Sequence, residues 1–376
     1  MTVAPDGRAP HVRARRDGDQ ASHPTVRPTT PLCHSRRMPA TVGAAGSSRT
    51  RPRSVGVDLV RVLAIVAVVV GHVWDEPTVR SVVHPWHVPV FFVLSGYLWR
   101  GGRGVREELA RRVPTLLVPY VAWLVVILAV VLGVTAARGG PVALGSVRDA
   151  LLGGAYAGRP FSAFWFVTAL LVTVVAYRVL DGAPRAVVWL VAGTGLLAGH
   201  VAGDALAAVP LSVGLALPCL VLVAAGAELA RLRPRLAGRT VPFVGLGLVG
   251  VGAVAVAAGV SAPVDLKQVD LGTPVVSMVV AVTISAGLVL LAEWGTARVG
   301  RHTARLVLDL AAAGLMVVLS HALVLWLLGT PHEGRPLDAA LALAVPWGVG
   351  LLLLRVPIAS RVLLGRPVRP AVRPVA

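Results

Sequence analysis

Cysteine, lysine and acidic side chains are all scarce in this chain of 376 residues, and aromatics make up only 5% of it. Two cysteines, Cys33 and Cys219, give neither a disulfide framework nor a zinc site. Lysine occurs once, as Lys267, beside abundant arginine; this reads as a GC-rich coding bias and carries no functional weight. Charged residues amount to 14%, too few to cover a soluble domain in which 56% of residues are hydrophobic. There is no glycine-rich nucleotide loop and no nucleophile elbow. Residues 1–54 lack the apolar core of a signal peptide and any apolar periodicity, so they are expected to be a disordered basic tail, and Met38 is a second candidate start.

What the chain does have is apolar runs, each near the length of about twenty residues that crosses a bilayer. Ten spans are expected, near 57–74, 82–99, 114–134, 164–180, 186–203, 209–230, 241–260, 273–293, 306–328 and 338–355. The runs are continuously apolar rather than alternating, which selects helices over a β-barrel. The expected fold is therefore all-α: a polytopic integral membrane protein, a bundle of about ten transmembrane helices over residues 55–356, followed by a basic, Pro-rich tail over 357–376.

A net charge of +18 would point to nucleic acid in a soluble protein. Here the arginines sit in short connections between spans, so no nucleic acid is expected and the partner is the lipid bilayer. With the N-terminus inside, the cytoplasmic connections and the C-terminal segment, together with Arg355, hold 19 arginines, and the outer connections hold six Arg plus Lys. The positive-inside rule then puts both termini in the cytoplasm. Trp74, Trp86, Trp99, Trp165 and Trp294 lie near span ends, where belt residues are expected.

Against that background the run "RVLAIVAVVVGHVW" is unusual, since hydrocarbon penalises both Arg61 and His72. Eleven residues on a helix advance about 1100°, so the two share one face roughly 16 Å apart, with Asp58 one turn before Arg61. Either this is a functional polar stripe, or Arg61 snorkels to the headgroups while His72 sits in the interface and Asp58 caps the helix. The next run, "HPWHVPVFFVLSGYLW", adds His84 and His87, and His321 follows in "VVLSHALVLWLL". His72, His87 and His321 fall at similar depth, while the arginines gather at the other end. Imidazole suits general base chemistry and guanidinium suits phosphate, so two jobs are expected at two ends.

Arg61 and His72 with Asp58, then "HVPVFFVLSGYLW", "RRVPTLLVPYVAW", "FWFVTALL", "VDLKQVDLG" and "RVGRHT", resemble the membrane-bound acyltransferase family 3, O-acetylases of cell-surface sugars and antibiotics, over residues 55–356. The resemblance implies a multi-pass plasma-membrane enzyme that moves an acyl group, commonly acetyl, from cytoplasmic acyl-CoA as co-substrate to a hydroxyl of an extracytoplasmic carbohydrate or glycosylated metabolite. No bound cofactor is expected. By that resemblance Arg61 helps bind the donor and His72 is the essential histidine. Phe91, Phe92, Ser95 and Gly96 form the "FFxxSG" signature, in which the small residues permit close helix approach. His87 matches the histidine of the family's "HMP" form, with Val88 in place of methionine. "VVLSH" keeps His321 but loses the tyrosine of "IYLLH".

His72 is then the expected base, with a transiently acylated residue as the alternative. His87 is either catalytic or interfacial, and His321 either functional or a helix-to-helix hydrogen bond. Arg111 and Arg112, in a connection rich in arginine, are expected to hold donor phosphates, although topology alone would place arginines there. His84 and His87 have metal-ligand spacing, but no carboxylate or cysteine completes a site, so no metal is expected. Glu228 and Glu293 are expected to pair with arginines. Trp165 is read as a belt residue or a sugar-stacking ring, and the connections near 135–163 and 261–272 as the shapers of acceptor recognition. A transporter or flippase using the same stripe is the reading from a different class.

Overall fold

The computed structural model describes residues 54–141 and 144–366. Residues 1–53 and 367–376, where most of the two expected tails fall, lie outside the described residues. In chain order the helices are α1 (Val55–Val73), α2 (Pro77–Val83), α3 (Pro89–Tyr97), α4 (Val105–Arg112), α5 (Val118–Ala137), α6 (Leu144–Leu152), α7 (Trp165–Val179), α8 (Arg185–Val201), α9 (Gly203–Ala207), α10 (Ala216–Leu232), α11 (Val241–Ala257), α12 (Val276–Thr296), α13 (Arg301–Leu327), α14 (Pro336–Leu353) and α15 (Pro357–Leu364). Among the described residues there is no strand, only an isolated bridge between Asp265 and Asp270.

Among the described residues, six helical segments are long and apolar enough to cross a membrane: Val55–Val73, Val105–Ala137, Pro210–Arg235, Val276–Thr296, Arg301–Leu327 and Pro336–Leu353. Three more apolar helices, α7, α8 and α11, are shorter at 15, 17 and 17 residues. The expected count of ten is therefore not reached by length and composition. The clearest departure is the second span. It is expected as one helix over 82–99, but His84–Val88 form a turn between α2 and the nine-residue α3. Pro85 and Pro89 cause this, because neither supplies an N–H to a helical ladder. A second proline effect joins α4 to α5, where Val113–Leu117, with Pro114 near its start, makes a π-helical turn.

The folded domain also continues beyond the expected boundary at residue 356. Pro357 opens α15 at a position where a missing N–H does no harm, and Gly365 closes it in the left-handed conformation at φ 64°. The helix lies against α5, α13 and α14, and Trp123 Nε1 donates to Leu363 O at 3.0 Å.

Lipid tails are as apolar as leucine, so burial alone does not drive such helices together; close backbone approach and dispersion do. The pair α3 and α10 illustrates this most directly. A Cβ on Gly96 would strike Val223 O, and one on Gly226 would strike Val93 O, so two glycines from opposite helices make one reciprocal backbone contact. Helix α1 packs on α12, α13 and α14, and α10 packs on α3, α7 and α8. Phe92, Phe164, Leu222 and Leu319 are fully buried in the core these helices share.

Candidate functional site

Helix α1 carries a polar stripe on one face. Ser54 caps its first turn, with Oγ accepting from Val57 N, and Asp58 lies buried four residues on. Arg61 Nη1 donates to Asp58 Oδ1 at 2.6 Å. Along that face Arg61 and Ile65 line one cavity, while Val68 and His72 line another. The expected common face therefore holds, and it addresses two compartments.

The cavity at the histidine end measures about 380 Å³. It gathers His72, His84 and His87, whose last two rings stand 4.9 Å apart. His321 lies behind His72 rather than in the cavity wall, fully buried, with the two rings edge to face at 4.9 Å. Each of three histidines spends Nδ1 on the carbonyl one turn earlier: His72 on Val68 O at 2.8 Å, His87 on Val83 O at 2.9 Å and His321 on Val317 O at 2.9 Å. A carbonyl oxygen only accepts, so Nδ1 keeps its proton in all three, and each neutral ring has its lone pair on Nε2. For His72 that leaves a basic nitrogen on a ring that lines a cavity, which is what a general base requires.

Long connections supply the rest of this wall. Arg159 donates through Nη1 to Thr330 O at 2.9 Å and through Nη2 to His72 O, tying the end of α1 to two other segments. Lys267 Nζ donates to Ala157 O at 2.6 Å, which joins the two connections expected to shape recognition. Trp165 is 6% exposed and lines the same cavity, so of its two readings the belt position is corrected: the ring faces inward. Ser162 Oγ and His84 Nδ1 are buried here without a hydrogen-bond partner among the described residues.

The cavity at the arginine end measures about 340 Å³ and is lined by Arg61, Arg112 and Arg366 together with Ser95 and Thr115. Arg112 is held in place, since its Nε donates to Glu108 Oε1 at 2.8 Å. Glu108 in turn receives Arg178 Nη2 at 2.8 Å, and that buried guanidinium lies 3.7 Å from the Trp99 ring centroid. Arg111 does not reach the cavity; it points outward, 3.7 Å from Glu107. Ser95 Oγ donates to Phe91 O at 2.9 Å within α3. Glu228 pairs with Arg185 and Arg231, and Glu293 with Arg233.

Asp181 closes the same end. Burial works against its charge, but Trp99 Nε1 at 3.0 Å, Gly102 N–H at 2.9 Å and Arg178 hold its carboxyl below the ordinary value of 3.8. Its contribution to stability is therefore complete above pH 3.8 and lost only as pH falls through the lower folded value. Asp181→Asn is expected to destabilise the protein by about 1–2 kcal/mol at pH 7. Melting curves of both forms in detergent should converge as the pH drops below that range.

Both cavities contain Phe91, Phe166 and Val318 in their linings. The rings of Phe91 and Phe166 are 5.1 Å apart, and Phe92 packs edge to face on Phe166 at 6.0 Å. Three apolar side chains thus form the wall between an arginine-lined chamber and a histidine-lined one. Arg159, Ser162 and Arg366 escape sequence reading, because their positions depend on chain segments far from α1. Lys267 stands inside a recognised motif, yet nothing local marks its ammonium as a wall group.

The model of the acyltransferase 3 family, described as an acyltransferase domain, matches residues 54–359. The chain belongs to this family and is a multi-pass membrane protein. No curated protein and no solved structure matches it.

Proposed function

We propose that the protein is an O-acyltransferase that takes an acyl group from acyl-CoA at its arginine end and delivers it to a sugar hydroxyl at its histidine end. The observation that carries this reading is the pair of cavities back to back, with phosphate-binding chemistry on one side of a thin wall and a basic nitrogen on the other. The cationic chamber, which faces the cytoplasm under the positive-inside rule, holds the donor's phosphates through Arg61, Arg112 and Arg366. The thioester then lies at the wall formed by Phe91, Phe166 and Val318.

In the other chamber His72 Nε2 accepts the proton of the acceptor hydroxyl as its oxygen attacks the thioester carbonyl. The carbon–sulfur bond breaks, the ester forms, and the imidazolium returns its proton to the leaving thiolate. Nδ1 stays bound to Val68 O throughout, which fixes the ring while Nε2 does the exchange. Arg159 grips the carbonyl of His72 and holds that end of α1. His87 contributes from the cavity wall by orienting the acceptor. His321, behind His72, is a positioning residue. The arrangement favours direct transfer, with the acceptor cavity next to the base.

Arg61→Gln tests the donor side. It keeps a hydrogen-bonding side chain on α1 and removes the charge, so the KM for acetyl-CoA is expected to rise about tenfold with a smaller change in kcat. Initial rates with radiolabelled acetyl-CoA on protein in nanodiscs measure this. An unchanged KM would remove the arginine chamber from donor binding.

A further inference from the structure

We infer that the histidine-end cavity takes a sugar carrying an acidic group, carboxylate or phosphate, near the hydroxyl that is acylated; this deepens the acyltransferase reading and rests on it. Five fixed charges lie in the cavity wall: Asp75, Arg80, Arg159, Asp265 and Lys267. Arg80 stands between both acids, 3.4 Å from Asp75 and 3.7 Å from Asp265. Arg159 and Lys267 form no ion pair among the described residues and give hydrogen bonds to the uncharged carbonyls of Thr330, His72 and Ala157. Those carbonyls satisfy single N–H groups and neutralise nothing. The ammonium has three donors and the guanidinium five, so both have donors left for a ligand.

Burial also favours an anionic ligand. It holds the Lys267 ammonium below its usual pKa against the opposing pull of Asp265, so an anion beside it relieves a real desolvation penalty. A neutral sugar offers no such relief. Ser162 Oγ, buried in the same wall and without a partner among the described residues, supplies one more donor or acceptor for a hydroxyl or acid oxygen. The Trp165 ring offers an apolar surface for a sugar face. Arg159 is bound to the carbonyl of His72 itself, which sets the acid-binding end beside the base.

The experiment measures binding first, without donor, on full-length protein in nanodiscs, using glucose, glucuronate and glucose 6-phosphate as probes. One or both acids are expected to bind about tenfold more tightly than glucose at low salt, with the margin shrinking at high salt. A larger margin for glucuronate assigns a carboxylate, and a larger margin for glucose 6-phosphate assigns a phosphate. Lys267→Gln should collapse the margin and Lys267→Arg should restore it; retention of the margin in Lys267→Gln, or equal binding of all three sugars, overturns the inference. Transfer of radiolabel from acetyl-CoA to the same sugars is read separately. Preference for acids without any transfer rejects the acyltransferase chemistry alone, whereas transfer without preference rejects the acidic acceptor alone.

Discussion

His72→Ala is expected to lower acyl transfer by about 10²–10⁴-fold, the usual worth of a positioned general base. The change removes one ring and one hydrogen bond, from Nδ1 to Val68 O. It leaves the contact with Arg159 intact, because that guanidinium holds the backbone carbonyl of residue 72 and not its side chain. Alanine is also the better helix former, so α1 should persist. Radiolabel transfer in membrane vesicles gives the rate, and size-exclusion chromatography of the solubilised variant reports its fold. His72→Gln sharpens the test, since it keeps a polar side chain without a basic ring nitrogen and should be nearly as inactive. His321→Ala should cost less, because that ring touches His72 without lining the cavity. Wild-type rates in both His72 variants would end the case for a base at this position.

Gly96→Ala is expected to be strongly destabilising for so small a substitution. Its only new atom is a Cβ, and that atom falls on the backbone of α10, against Val223 O and Ala227 N. No rotamer relieves such a clash, so α3 and α10 must separate along the line where they are closest. A loss of about 3 kcal/mol, at the upper end for overpacked sites, is expected. Gly226→Ala should match it, because the new Cβ meets Val93 O from the other helix. Gly250→Ala in α11 is the control: nothing lies within 4 Å of its added Cβ, so it should be neutral or stabilise by up to about 1 kcal/mol. Thermal melting of the three variants in one detergent decides the matter, and a Gly96→Ala form as stable as wild type would contradict the close approach.

These two positions also show what sequence carries and what it withholds. The stripe from Arg61 to His72 follows from helix periodicity alone, and the convergence of the histidines follows from counting depth along spans. The small residues of "FFVLSG" announce close packing before any partner is known. The break inside the second span was visible too, in Pro85 and Pro89, but a window of mean hydropathy averages over a turn of five residues. Other features have no local signal. Arg111 and Arg112 are neighbours about 100° apart on one helix, and only the packing of α4 against α7 turns one outward to Glu107 and the other, through Glu108, into a cavity. Arg159 meets His72 across 87 positions of chain. Lys267 reaches Ala157 across 110. Such pairings are decided by how the bundle closes, and a single sequence does not display them.

The wall of Phe91, Phe166 and Val318 has an electrical consequence. Two wettable chambers that nearly meet thin the insulator between them to a few side chains, so a membrane voltage would drop mostly across that short distance. Charge displaced there feels most of the field, worth about 2.3 kcal/mol per elementary charge for each 100 mV. A ring of phenylalanine is then a dielectric plug as much as a packing element, and an opening wide enough for water would short-circuit the bilayer there.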